Sequence, residues 1–206
     1  MPYRPTEKTE ARKKAQHKLL LTTALAIVAK EGFQNLTIAL LAEQAQVAIG
    51  TVYKYFESKA ILCAEVFRLA TEKEVDRVQA AAFPEAHFLT CEQRLSDAIN
   101  IFSERALLGH QLAYALIAEP VEEMVQVERL KYREAYADIF ENLIKEGIQQ
   151  QEFCLQDARV SAAAMVGTLA ETLLGSIVLD RKAVKQINQQ EVIQEIKGFC
   201  LRAVKS

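Results

Sequence analysis

The chain has 206 residues, of which 50% are hydrophobic and 25% charged, and its formal net charge is −2. Its few glycines and prolines, with no Asn-Gly or Asp-Gly pair, exclude a hairpin-rich fold, and the sequence shows no internal repeat. Long stretches rich in Ala, Leu, Glu, Gln and Arg instead predict an all-α protein of about nine helices.

The charge is unevenly distributed along the chain. Residues 1–60 carry nine lysines and arginines against five glutamates, a net of +4. The remaining residues carry sixteen basic against twenty-two acidic side chains, a net of −6. This division is typical of a small basic head that contacts nucleic acid and a larger acidic body. We therefore predict domains at 1–60 and 61–206.

Six of the basic residues lie within the first eighteen positions: Arg4, Lys8, Arg12, Lys13, Lys14 and Lys18. Pro2 and Pro5 predict a non-helical beginning. For residues 2–9 two interpretations stay open, an arm along the DNA backbone or minor groove and a solvated terminus. For Arg12, Lys13 and Lys14, next to the first predicted helix, we favour DNA contact.

Residues 37–56 show the pattern of a helix-turn-helix. Thr37 is a suitable N-cap for a helix with apolar residues at helical spacing. Residues 46–48 predict a turn in which Val47 is buried, and a second helix is expected from about Ile49 to Tyr55. Such a second helix enters the major groove of DNA.

The second helix has two chemically different sides. At about 100° per residue, the inner side comprises Ile49, Val52, Tyr53 and Phe56. The outer side comprises Gly50, Thr51, Lys54 and Tyr55. Small, hydroxylated, cationic and aromatic side chains can approach a groove and bind phosphates. The absence of a side chain at Gly50 allows close approach of the backbone.

Lys59 follows Ser58, the predicted N-cap of the next helix. A lysine in a first helical turn faces the positive end of the helix dipole, which is mildly unfavourable. Free backbone N–H groups beside a lysine would suit a docked phosphate. The alternative is a solvated lysine, and we favour the phosphate contact because the motif is adjacent.

The segment 50–59, GTVYKYFESK, resembles the signature of the TetR family of one-component bacterial transcription regulators. Residues 24–33 resemble the first helix of that family and its end. The clear similarity covers about residues 19–62. It implies a cytoplasmic dimeric repressor with an N-terminal DNA-binding domain and a C-terminal domain that senses a ligand and dimerises. It also implies a palindromic DNA operator as the partner.

The resemblance and the local pattern together give a set of candidate DNA-binding residues: Arg12, Lys13, Lys14, Thr37, Ala48, Ile49, Gly50, Thr51, Tyr53, Lys54, Tyr55 and Lys59. Several positions depart from the family pattern, and two of them lie in the turn. Gln46 replaces the usual glycine of the turn, where left-handed geometry would cost a glutamine more. Ala48 replaces the usual serine cap, so the second helix begins without a side-chain acceptor.

Six further helices are predicted after the motif, at about 58–81, 90–108, 110–119, 121–149, 157–179 and 189–204. Thr90 and Gln93 have the spacing of a capping box, and Gly109 predicts a helix end. A loop is expected around Phe83, Pro84 and Glu85.

A ligand cavity is expected among inward-facing aromatic and polar side chains of the body: Phe102, Arg105, His110, Tyr114, Tyr132, Tyr136 and Phe140. Tyr132, Tyr136 and Phe140 form a stripe at i, i+4 and i+8. Aromatic rings with a few polar groups can line an apolar pocket for a hydrophobic or amphipathic molecule. Ordinary core packing is the alternative for each residue.

The last two helices are the predicted dimer interface. Small side chains permit close helix approach, and the resemblance implies that these helices form a two-fold four-helix bundle. The candidate residues are Ala163, Gly167, Ala170, Leu174, Val192, Ile196 and Phe199. The alternative is that both helices pack only within the protomer.

Other classes of site find little support in the sequence. Cys63, Cys91, Cys154 and Cys200 lie far apart, which favours buried free thiols over a redox or metal role. No cofactor, metal site or catalytic motif is predicted, nor a targeting signal or an uninterrupted apolar stretch of about eighteen residues.

Three hypotheses therefore stand. The first is a ligand-responsive dimeric repressor. The second is a DNA-binding activator or constitutive repressor without a ligand, which a solid body core would favour. The third is a helical enzyme or interaction module with a vestigial helix-turn-helix, favoured only by Gln46 and Ala48.

Overall fold

The computed structural model describes residues 7–85, 88–181 and 188–205. Within these ranges the chain is all-α, as predicted, with nine helices and no strand. They are α1 (Glu7–Glu31), α2 (Ile38–Gln44), α3 (Ile49–Tyr53), α4 (Lys59–Ala82), α5 (Cys91–Leu108), α6 (His110–Ile117), α7 (Glu123–Gln149), α8 (Ala158–Arg181) and α9 (Gln189–Val204).

The helix starts that the sequence predicted from capping residues are confirmed. The Thr37 hydroxyl accepts a hydrogen bond from the Leu40 amide at 3.1 Å, and the Ser58 hydroxyl accepts one from the Ile61 amide at 3.2 Å. Thr90 and Gln93 form both bonds of the capping box. These side chains satisfy backbone donors that have no partner within their helices.

Two boundaries differ from the prediction. α1 already begins at Glu7, so Arg12, Lys13 and Lys14 lie inside the helix and not beside it. α7 begins at Glu123, two residues after the expected Val121. Arg4, Pro2 and Pro5 lie outside the described residues.

α1, α2, α3 and the first half of α4 enclose one apolar core, which we call the head core. Its fully buried members include Leu20, Leu41, Val52 and Phe56. The same core continues past residue 60 to Phe67 on α4 and includes Ala115 and Val125. Those two residues belong to α6 and α7, so head and body share packed surface.

A second core, the body core, joins α4 to α9. Leu95, Ile99, Phe140, Leu143 and Leu169 are completely buried in it. Burial of this apolar surface is the main stabilising contribution to such a bundle. The helices therefore form a continuous frame that reaches from the head to α9.

α8 is apolar enough to raise the question of a membrane. Its segment Ala158–Val178 meets the length and composition of a spanning helix, and 44% of it is buried in this structure. Core helices of water-soluble proteins have the same composition, and α8 packs against α5, α6, α7 and α9. A spanning role therefore has only weak support.

Candidate DNA interface and ligand cavity

The side chains of α3 divide differently from the predicted helical wheel. Val52 and Phe56 are fully buried, as expected, but Ile49 and Tyr53 are 51% and 52% exposed. The prediction that all four share a buried side was wrong, because helical spacing shows which residues share a side but not which side of the short α3 faces the core. Ile49 and Tyr53 are therefore accessible to a partner.

The outward residues also need one correction. Lys54 is exposed and Thr51 half-buried, but Tyr55 packs partly against the head core, with its ring 6.1 Å from the His17 ring. A Cβ added to Gly50 would meet no atom within 4 Å, so the space there is open. The most accessible part of this surface is therefore the start of α3 with Tyr53 and Lys54.

The turn before α3 forms as predicted, but Val47 is less buried than the sequence analysis expected. Gln46 adopts a left-handed φ of 54°, and Ala48 caps α3 without a side-chain hydrogen bond. Val47 is only partly buried. Thr37 and Ala48 are both exposed at the starts of α2 and α3.

α1 extends about three turns beyond the head core, and residues 8–15 are all exposed. His17 then contacts the head, with its ring 5.0 Å from the Phe56 ring and Nε2 3.1 Å from a Glu65 carboxylate oxygen. Lys13 precedes His17 by four residues and so shares its side of the helix. Lys14, three residues before His17, also lies near this side, whereas Arg12 lies about 140° around the helix from His17.

Lys59 occupies the joint between head and body. It is half-buried and lines a cavity of about 330 Å³ with Cys63, Glu122 and Val125 among its neighbours. Burial raises the pKa of Cys63 to about 11, against the opposing effect of Lys59. Lys59 is therefore partly shielded from solvent. It forms no ion pair with a carboxylate within the described chain.

A larger cavity of about 350 Å³ opens between α4, α5, α6, α7 and α8. Four predicted residues line it: Phe102, Arg105, Tyr132 and Tyr136. Three do not, since His110 is exposed, Phe140 is completely buried in the body core and Tyr114 is not on the wall. Of the predicted stripe, Tyr132 and Tyr136 therefore line the cavity, and Phe140 packs in the body core.

The sequence analysis did not predict many of the residues that line the larger cavity. The further lining residues include Phe67, Thr71, Leu112, Leu116, Arg129, Arg133 and Val166. Arg129 and Arg133 are four residues from each other on the helix face that continues to Tyr136, so helical spacing could have found them. The lining residues on α4 and α6 could be identified only from the way the helices pack.

An ion pair and several aromatic rings define the chemistry of this cavity. Arg105 donates two hydrogen bonds of 2.8 Å to the two carboxylate oxygens of Glu74. Burial raises the pKa of Glu74, but hydrogen bonds from Arg105 and Arg77 outweigh it and leave the pKa below its ordinary value. The Phe102 and Tyr136 rings meet edge to face at 5.0 Å.

Glu119, just after α6, binds the loop between α1 and α2. Its carboxylate accepts hydrogen bonds from the amides of Phe33 at 2.9 Å and Gln34 at 3.0 Å, and the residue is only 5% exposed. Gly32 has a φ of +85°, and a Cβ there would lie 2.7 Å from Glu119 Oε1. Glycine is therefore required by both the backbone and this contact.

Arg129 connects the cavity wall to the segment that carries Glu119. Its guanidinium donates to the carbonyl oxygens of Leu116 at 2.8 Å, Ala115 at 3.1 Å and Glu119 at 2.8 Å. The first two carbonyls belong to the last turn of α6, where backbone acceptors lack helical partners, and the Glu119 carbonyl follows just beyond the helix. A continuous set of hydrogen bonds thus runs from the cavity through the end of α6 to the head.

Comparisons with known proteins agree with this architecture. The profile of bacterial regulatory proteins, tetR family, matches residues 20–66. The chain belongs to the TetR family. It is a TetR-family transcriptional regulator with the N-terminal helix-turn-helix of that family.

Two curated relatives of this TetR-family chain differ in how much they share with it. The fatty acid metabolism regulator protein of Bacillus subtilis is 25% identical over 174 residues, covering 82% of this chain and 88% of the relative. The transcriptional repressor KstR of Mycolicibacterium smegmatis is 37% identical over 65 residues, covering 32% of this chain and 30% of the relative.

The fold is also that of a solved TetR-like structure. The regulator FadR from Bacillus subtilis, crystallised in complex with stearoyl-CoA, matches with a TM-score of 0.76 at 20% identity. The match covers 91% of this chain and 99% of FadR. At this identity the likeness shows the fold.

The helices that pair between subunits in the predicted TetR-like dimer carry an open apolar surface. Ala163 and Gly167 are exposed, and a Cβ on Gly167 or Gly175 would meet no atom within 4 Å. Phe199 on α9 is 55% exposed. Leu174 and Val192 are half-buried.

Two of the predicted interface residues lie inside the protomer. Ala170 is buried and lines the larger cavity, and Ile196 is 2% exposed in the body core. Both share a helix side with core residues, which the sequence pattern alone could not distinguish from an interface. The open surface of α8 and α9 is therefore smaller than predicted.

The cysteines have the predicted free state. Cys63, Cys91 and Cys200 are buried thiols, and Cys154 is half-buried. Burial raises the pKa of Cys200 to about 11. Among the described residues no group of three or more His, Cys, Asp and Glu is arranged to hold a metal ion.

Proposed function

We propose that this TetR-family regulator is a homodimeric repressor of bacterial transcription that leaves its operator when an amphipathic acyl ligand enters the larger cavity. The cavity favours this over a ligand-independent regulator, because a solid core would have favoured the latter. This role places the protein in the cytoplasm and makes it a binding protein without catalytic activity.

The DNA-binding step would use the exposed start of α3. Ile49, Gly50 and Thr51 are placed to approach base edges, and Tyr53 and Lys54 to bind phosphates. Lys59, Thr37 and the basic part of α1 would add backbone contacts that fix the register of the head. The surplus of positive charge in residues 1–60 supports such a contact.

Dimerisation would place two heads on one palindromic operator. The open surface of α8 and α9, with Ala163, Gly167 and Phe199, fits close contact with the same surface of a second copy. A two-fold dimer presents its recognition helices to successive major grooves about 34 Å apart. Replacing Gly167 with arginine tests this surface and should shift the protein to monomers in analytical ultracentrifugation.

The ligand class is suggested by the cavity and by a relative. The wall is mostly apolar, with polar groups at few positions, which suits a chain with a polar head. The solved FadR of Bacillus subtilis was crystallised with stearoyl-CoA. We therefore propose an acyl thioester or a related acyl compound as the effector.

The observation that carries the proposal is the double role of α6. Leu112 and Leu116 of this helix line the cavity, and Glu119 just beyond it binds the backbone of the α1–α2 loop. A ligand that displaces α6 would therefore move or release the head. Because binding free energies are linked, operator DNA must weaken ligand binding by the same factor.

A gel-shift titration tests the whole proposal. The intact protein should bind DNA flanking its own coding region tightly in excess competitor DNA, and stearoyl-CoA should release it while free CoA does not. Thr51→Ala and Lys54→Ala should lower the DNA affinity, with Lys145→Ala on α7 as the control. DNA binding that no acyl compound changes would support a ligand-independent regulator instead.

A further inference from the structure

We infer that the larger cavity contains an anion-binding subsite formed by Arg129 and Arg133, which takes the carboxylate or phosphate of an amphipathic ligand. The inference rests on the proposed function, because it assigns the charged end of the effector. The apolar remainder of the wall would hold the acyl chain.

The charges on the cavity wall do not balance. Four charged side chains line it, the single carboxylate of Glu74 and the guanidinium groups of Arg105, Arg129 and Arg133. Both carboxylate oxygens of Glu74 are bound by Arg105. The nearby buried Glu128 is engaged by Arg68 and Lys131. Of the other two arginines, Arg129 has the carboxylate of Glu119 near it, and Arg133 forms no ion pair in the described part of the chain.

Arg129 is the more buried of the two. It is 7% exposed, and its hydrogen bonds go to three carbonyl oxygens and to the side-chain oxygen of Gln126. These acceptors satisfy N–H groups but do not neutralise the charge. Burial and the neighbouring charge of Arg133 lower the pKa of Arg129, and the carboxylate of Glu119 opposes this only in part, so the folded protein holds this cation at a cost.

Arg133 provides the observation that a structural role does not explain. Arg129 can be understood as the group that caps the end of α6. Arg133 lies one turn further on the same face of α7 and is exposed to solvent; it lines the cavity and pairs with no carboxylate in the described part of the chain. A bound anion would offset both charges and could accept the paired, charge-assisted hydrogen bonds that guanidinium groups favour.

The subsite would also act on the head. An anion that draws the Arg129 guanidinium toward the cavity competes with the carbonyl oxygens of Ala115, Leu116 and Glu119. Loosening these bonds frees the segment that positions the Glu119 carboxylate on the Phe33 and Gln34 amides. Charge recognition and release of the head would then be one event.

Calorimetric binding to the intact protein tests the subsite, with laurate, lauroyl-CoA and methyl laurate as probes that share one acyl chain. We expect the two anions to bind at least about tenfold more tightly than the neutral ester, the effect of one charge-assisted hydrogen bond. Arg133→Gln should remove this preference and leave ester binding unchanged. Arg133→Lys should retain part of it, and Lys145→Gln should change nothing.

The probes distinguish the possible sources of the anion. Tighter binding of laurate than of lauroyl-CoA assigns the subsite to a carboxylate, and the reverse order assigns it to the CoA phosphates. Free CoA measures the binding of the polar group without an acyl chain. Equal binding of all three acyl probes by the wild type, or an unchanged preference in Arg133→Gln, overturns the subsite while leaving ligand response intact. Failure of every acyl probe to bind overturns the ligand response itself.

Discussion

The head and the body of this regulator differ in how their functional surfaces are built. The head presents its candidate contacts on short consecutive segments, Thr37 and residues 48–54, above a solid core centred on Phe56. The body assembles its cavity from five helices that are far apart in sequence. The proposed DNA contact therefore needs little more than local structure, whereas the cavity depends on the whole bundle.

The two regions are nevertheless mechanically joined. α4 contributes to both cores, and Phe67 lies between the Phe33 ring of the head at 6.1 Å and the Tyr132 ring of the cavity at 6.0 Å. The Glu119 contact is a second link. The proposed ligand signal would thus have an aromatic and a hydrogen-bonded route to the same loop.

The largest expected effect comes from a substitution that should disturb the head core and not the body core. Phe56→Ala should lower the free energy of unfolding by about 3–5 kcal/mol, because it leaves a cavity in the head beneath α3. Chemical denaturation and gel shift should show lower stability and lost DNA affinity, with the ligand still bound by the body under folding conditions. Phe88→Ala, at a side chain that is 94% exposed, is the control and should change little.

Glu119→Gln breaks the link between the regions at nearly constant volume. The amide offers one oxygen where two backbone N–H groups need acceptors, so we expect a loss of about 1.5–3 kcal/mol in unfolding free energy. DNA release by ligand should also be blunted in gel shifts. Glu122→Gln, an exposed residue of the same loop, should behave as the wild type. A fully ligand-responsive Glu119→Gln protein would show that the signal takes the other route.

A neighbouring pair of basic residues sharpens the map of the head. Lys13 shares the α1 side of His17, which contacts Phe56, whereas Arg12 lies about 140° around the helix from His17. Lys13→Ala should therefore reduce the salt dependence of operator binding by about 0.9 in log–log slope, the value for one phosphate. Arg12→Ala should leave the slope nearly unchanged. Equal effects of the two substitutions would mean that α1 contacts DNA with a different side.

The smallest effect concerns the ion pair of the body. The pKa of Glu74 is lowered in the folded state, so its stabilisation is present above the unfolded-state pKa and is lost as the pH falls through the folded value. Because the pair is partly solvated, we expect a contribution below about 1 kcal/mol. Unfolding curves between pH 6 and about pH 3 should show a steeper acid loss for the wild type than for Glu74→Gln.

The candidate site was only partly visible in the sequence. Capping pairs such as Thr90 with Gln93 act within one turn, so their prediction was confirmed by the structure. Ile49 and Tyr53 were assigned to the buried side because helical spacing does not show which side of α3 faces the core. Phe140 was assigned to the cavity because a stripe on one helix cannot show where its neighbours diverge.

What the sequence by itself determined is the all-α fold, the family and the position of the helix-turn-helix, because these depend on propensity, periodicity and capping over short distances. Only the tertiary structure decided which aromatic residues face a cavity, that Ala170 and Ile196 are internal, and that Glu119 joins body to head. Those features arise from contacts between residues as many as 86 positions apart, and no local pattern specifies them.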